Sequence, residues 1–137
     1  MKKTAFYIFG LFALLCIAGC NPYDVDEILI NRDDVSLTMK GEPLFLYDPD
    51  TCQLAYNTER NEYWAMADDM SKYFVLKAHQ QMSHIEQEFS ADLTYMNGTK
   101  EKKERNLTFK IEKVSNDRGL VWLWCHSRNI GLVIRLF

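Results

Sequence analysis

The sequence predicts an all-β fold, a single antiparallel β-sandwich or small barrel of about eight strands, and three observations carry that prediction. Short runs rich in Val, Ile, Leu, Tyr and Phe alternate with polar residues at a period of two, as half-buried strands do. The runs recur at intervals of roughly 8 to 12 residues and are separated by Gly, Pro, Asn and Asp clusters. Only one stretch, 79–88, shows a helical spacing, with Met82, Ile85 and Phe89 on one face; a short helix and an ordered loop both fit it.

The elements follow in order. Residues 20–31 are polar and acidic around Pro22 and end in Ile28-Leu29-Ile30, a tether whose last residues can join the fold. At 35–39, Val35, Leu37 and Met39 share one face, and Lys40-Gly41-Glu42-Pro43 supplies a turn. Runs 44–47 and 52–56 flank Asp48-Pro49-Asp50, a strong turn signal because Pro presets φ and Asp bonds its own backbone. The five residues 57–61 then link 52–56 to 62–67 as a hairpin. Run 73–78 follows Asp68-Asp69, and 88–95 leads to the Asn97-Gly98 turn. The basic run 100–105 reads as a solvated turn, and strands are expected at 106–114, 120–125 and 130–137. In the last of these, Ile130, Leu132, Ile134 and Leu136 form an ordinary core face. The other phase, Asn129, Gly131, Val133 and Arg135, is not the apolar series of a membrane-spanning strand.

Composition narrows the function. The formal charge is −3; without Lys2 and Lys3, 14 basic groups face 19 acidic ones, a net of −5. Phosphate backbones are bound by clustered Lys and Arg, and the one dense basic run here is interleaved with Glu101 and Glu104, so a nucleic-acid partner is not expected. The three histidines, His79, His84 and His126, have no ligand spacing, and HExxH and CxxC are absent from the sequence, so no metal and no cofactor are expected. Asp48, Asp50, Asp68 and Asp69 could face Ca²⁺ if two turns met, but the EF-hand spacing is absent and capping of their own turns alone accounts for them. No GxSxG and no phosphate loop support an enzyme, so none is expected.

Aromatic residues are the remaining candidates for contact. Trp122 and Trp124 lie two apart in an expected strand and share one face, while Val121, Leu123 and Cys125 share the other. If the aliphatic face is buried, the two tryptophans form an outer platform for a glycan, peptide or protein, which Tyr63 and Trp64 could extend. The alternative is a core that contains them. Cys52 and Cys125 pose a similar choice, between two buried free thiols and a disulfide closing 74 residues and worth roughly 4 kcal/mol.

The first 20 residues carry the most specific motif. Lys2 and Lys3 precede an apolar stretch at 5–15, too short for a permanent span, and Ile17-Ala18-Gly19-Cys20 closes it. This ending resembles the lipobox of bacterial lipoproteins. The resemblance implies a signal peptide at 1–19, cleavage after Gly19, diacylglyceryl and acyl chains on Cys20, and a β domain over 32–137. Two or more acyl chains give stable anchoring where one gives marginal binding. Asn21 after the cysteine leans the resemblance to the outer membrane, and Asp24, Asp26 and Glu27 are similar to the acidic tether of Bacteroidetes-type surface lipoproteins. Size and layout likewise resemble small uncharacterised lipoproteins of that type. The expected role is therefore a lipid-anchored binding or envelope-assembly module with a protein or glycan partner. A small periplasmic enzyme or enzyme inhibitor is the rival.

Overall fold

The computed structural model describes residues 33–136; the leader, the tether and Cys20 lie outside the described residues. Among the described residues there are nine strands: β1 Ser36–Met39, β2 Glu42–Leu46, β3 Cys52–Asn57, β4 Glu62–Ala67, β5 Tyr73–Ala78, β6 Glu88–Asn97, β7 Lys100–Ser115, β8 Leu120–Cys125 and β9 Ile130–Arg135. All belong to one antiparallel sheet in the order β2-β1-β9-β8-β7-β6-β5-β4-β3. Every hydrogen-bonded neighbour except the β1–β9 pair is also a neighbour in sequence, so the topology is a meander whose two edges, β2 and β3, are consecutive in the chain.

The sheet is strongly curled into a half-barrel. Six strand spacings separate β2 from β5, about 29 Å if the sheet were flat. Yet the rings of Phe45 on β2 and Phe74 on β5 meet edge to face with centroids 5.5 Å apart. Likewise the Tyr95 hydroxyl of β6 lies 3.6 Å from Met39 Sδ of β1, across the interior from its own strand. Curling puts one face of every strand inside. There Leu37, Leu132, Leu123 and Ile111 line up across four strands, and Phe89 stacks with Phe109 at 6.1 Å.

Local chemistry explains the hairpins. Between Met39 and Glu42, Lys40 and Gly41 both take positive φ, 51° and 85°, which matches the strand twist in a two-residue turn. Gly98 at φ 66° does the same between Asn97 and Lys100. Because that turn closes immediately after Asn97, β7 begins at Lys100, and 100–105 is strand rather than the expected solvated turn. Its charges other than the half-buried Glu104 stay exposed because this arm of β7 pairs with β6 alone. Asn57 Oδ1 accepts the N–H groups of Glu59 and Arg60 and shapes the β3–β4 turn.

Residues 79–87 form no helix. The loop is instead organised by Gln87, whose Oε1 accepts from the Ser83 N–H at 2.6 Å while its Nε2 donates to the Gln81 carbonyl at 3.0 Å. A side chain that satisfies several loop backbone groups substitutes for helical bonding. Loop backbone also extends the ladder, with Glu86 N–H on the Ile111 carbonyl and Ile111 N–H on the Gln87 carbonyl.

Cys52 and Cys125 are free thiols here, which corrects the bridged alternative. Cys52 opens edge strand β3 half-buried, and Cys125 is buried at the end of β8, five strand positions away in the sheet.

Candidate functional site

The sheet register assembles a groove on the outer wall. Across β3 to β7, Ala55, Trp64, Val75, Thr94 and Lys103 form one outward-facing row. Gln53, Met66 and Tyr73 start the next, which Met96 and Glu101 continue on β6 and β7. Trp64, Met66, Met70, Tyr73 and Val75 supply the apolar lining of a groove of about 370 Å³, with Lys103 and Glu101 at its polar side.

Each wall residue is held by its strand or turn. Trp64 is 40% exposed, because the inward positions beside it belong to Tyr63 and Ala65. The Tyr73 hydroxyl donates to Glu101 Oε1, which fixes the ring across the strands and raises the phenol above its ordinary value, since ionisation would break that bond. Met70 rides on the β4–β5 turn at φ 62°, its N–H on the Ala67 carbonyl. Asp69 shapes that turn by accepting from the N–H and hydroxyl of Ser71, which lowers its carboxyl below the usual range.

The groove runs into a charged end lined by Glu62, Lys77, Asp92 and Arg105. Glu62 and Lys77 face each other at 3.9 Å. At a bulge in β6, Asp92 accepts the Asn106 N–H at 2.9 Å and lies 3.1 Å from His79 Nε2. The backbone bond first, and His79 second, hold the Asp92 carboxyl below its ordinary value. The other ring nitrogen of His79 is 3.0 Å from Ser90 Oγ. Serine, histidine and carboxylate therefore form a hydrogen-bonded chain, the arrangement that activates a hydroxyl nucleophile. Neither His79 nor Ser90 lines the groove, so this chain lies beside it and not inside it.

The tryptophan platform read from the sequence is corrected. Trp122 and Trp124 are 1% and 5% exposed, and Tyr63 is buried in the interior, where burial raises its phenol above the usual value. Trp64 alone of the four candidate contact residues reaches solvent in the groove. Sequence reasoning missed Met66, Met70 and Tyr73 as its neighbours. The signal available was the outward phase of 62–67 and 73–78, opposite to Tyr63, Ala65, Phe74 and Leu76.

The aspartates of the turns act on their own backbones. Asp48 Oδ1 accepts the Asp50 N–H at 2.9 Å, and Asp68 Oδ1 accepts from Gln53 Nε2 at 3.2 Å. The two turns do meet, with Asp68 N–H on the Thr51 carbonyl, but among the described residues no three His, Cys, Asp or Glu side chains are grouped to hold a metal ion. Comparison of the chain with protein-family models, with curated proteins and with solved structures finds no match in any of the three.

Proposed function

We propose that this chain is an extracytoplasmic lipoprotein, anchored by acyl chains on Cys20 at the outer membrane, whose β domain is a non-enzymatic binding or envelope-assembly module. Recognition of a protein or glycan partner falls to the groove around Trp64 and Tyr73. The observation that carries this reading is the half-exposed Trp64 beside Met66, Met70, Tyr73 and Val75 in one open groove. Flat rings with a polar edge, next to deformable thioethers, suit apolar side chains or sugar faces, and Lys103 and Glu101 supply directional bonds at the rim. The lipid anchor confines such a module to a surface and raises its effective concentration toward partners there.

Fluorescence titration of the domain against envelope proteins, peptides and glycans tests the groove. A true ligand changes the emission of the parent chain, and its affinity falls at least tenfold in Trp64→Ala and Tyr73→Ala. Equal binding by those variants would refute the assignment. Metabolic lipid labelling tests the anchor: label retained in Cys20→Ser would overturn it.

The Ser90–His79–Asp92 chain favours hydrolysis as a second reading. Turnover of an activated ester that disappears in both Ser90→Ala and His79→Ala would establish it, and turnover unchanged in these variants would remove it.

A further inference from the structure

The two edges of the sheet differ in how open they are to another strand. Exposed edges invite pairing, and proteins blunt them with charge, proline or a bulge. Edge β2 has all three: Glu42, Pro43, and a register with β1 that slips past Leu44. Edge β3 is uncharged, lacks proline, and keeps an unbroken register with β4 from Cys52 to Asn57. One contact fixes its hydrogen-bond phase: Asp68 N–H donates to the Thr51 carbonyl at 2.8 Å, one step before the Cys52–Ala67 pair. Hydrogen-bonded pairs alternate along an antiparallel ladder, so Gln53, Ala55 and Asn57 bond to β4, and the N–H and C=O groups of Leu54 and Tyr56 point the other way. Among the described residues no strand lies on that side. The side chains there are open as well, with Tyr56 45% exposed and Gln53, Ala55 and Asn57 facing solvent.

We propose that β3 receives an extended peptide segment of a partner protein as an added antiparallel strand, with one large apolar side chain of that segment laid over Ala55 against Trp64. The proposal deepens the groove reading above, rests on it, and chooses a peptide over a glycan. Leu54 and Tyr56 each offer a donor and an acceptor two residues apart, the spacing at which an extended backbone repeats its own groups. The residue opposite Ala55 falls in a non-hydrogen-bonded pair, where side chains are closest. It points to the outer wall with Ala55 and Trp64, and two strand spacings, about 10 Å, separate it from Trp64. Ala55 between them presents only a methyl group, so a Phe, Met or Leu side chain and the indole can meet above it.

Register also states the chemistry of the segment. Its neighbours on the outer side of Ala55 lie beside the polar row Asn57, Glu62 and Lys77 at one end and beside Gln53 and Met66 at the other, so polar or small side chains suit those positions. Its inward side chains lie beside Leu54 and the exposed ring of Tyr56, which suits β-branched apolar residues. Proline is excluded opposite Leu54 and Tyr56, where the segment must donate. A second copy of the chain fits less well. In any two-fold pairing through Leu54 and Tyr56, Ala55 faces Gln53, Ala55 or Asn57 of the second copy, and none of these is a large apolar group that reaches Trp64.

The test pans a phage-displayed library of random octapeptides on the full chain and synthesises the tightest binder. N-methylation of that peptide at the two residues that pair with Leu54 and Tyr56 should weaken binding about tenfold each, and methylation at the residue between them should change it little. In the saturated complex, hydrogen exchange of the Leu54 and Tyr56 amides should slow about tenfold, while the Gln53 and Ala55 amides, already bonded to β4, stay as they were. Trp64→Ala, and Ala55→Glu at its exposed position, should each weaken binding by a similar factor in a folded chain. A library that yields no binder would overturn the proposal, and so would a free chain that dimerises with the Leu54 and Tyr56 amides protected. Binding that needs Trp64 but ignores N-methylation and leaves both amides unprotected would refute strand addition and leave the groove reading standing. A ladder that forms equally well on Trp64→Ala would instead remove the groove reading, and with it the contact over Ala55.

Discussion

Replacing Phe74 by Ala should be among the most damaging single changes in this domain, and its size follows from where the ring sits. Phe74 is 1% exposed and contacts Phe45 edge to face at 5.5 Å, joining strands that are six positions apart in the sheet. Truncating a buried Phe costs about 3 to 5 kcal/mol through lost transfer energy and the cavity left behind. The ring pair adds about 0.5 to 1.5 kcal/mol beyond area. Against a total of roughly 5 to 15 kcal/mol for a domain, that leaves the variant close to unfolding. Urea titration followed by far-UV circular dichroism and by tryptophan emission reads the loss. The sharper version is a double-mutant cycle with Phe45→Leu and Phe74→Leu, in which curling of the sheet predicts a coupling of about 1 kcal/mol. Additivity within about 0.3 kcal/mol would mean that the rings do not meet and that the sheet is not curled as described.

Other perturbations separate the buried and open tryptophans and the titrating groups. Trp122→Ala should cost about 3 to 5 kcal/mol in the same titration, whereas Trp64→Ala, at a half-exposed site, should cost about 1 kcal/mol or less. Asp92 has a folded-state carboxyl held below its ordinary value of 3.8, first by the Asn106 N–H and then by His79. Its contribution to stability is therefore full above that ordinary value and fades as the pH falls through the lower folded one. Asp92→Asn should flatten the acid limb of stability against pH, and an identical limb in both proteins would refute the assignment. In intact-mass spectra after alkylation without reductant, Cys52 should be modified in the folded chain and Cys125 only in denaturant. Protection of both thiols in denaturant without reductant would instead reveal a disulfide.

Much of the fold was legible because its signals are local. The two-residue turns at Lys40-Gly41 and after Asn97 need residues that tolerate positive φ, and alternation at 73–78 and 130–136 marks an inward face wherever the strand ends up. The 79–87 loop was undecided in sequence because helical spacing and a Gln-organised loop use the same residues; the bonds of Gln87 to Ser83 and Gln81 settle it. The groove was half legible: Trp64 was singled out, but its companions come from strands brought together by register, which single-strand patterning does not encode.

By itself the sequence determined an all-β domain, most of the places where the chain turns, and the faces of most strands. Only the tertiary structure decided that one sheet curls until Phe45 meets Phe74, that Cys52 and Cys125 stand five strand positions apart, and that Trp122 and Trp124 are buried while Trp64 is open. The reason is physical: alternation states which side chains share a face, but whether that face meets water depends on what packs over it, and that is set by contacts distant in the chain.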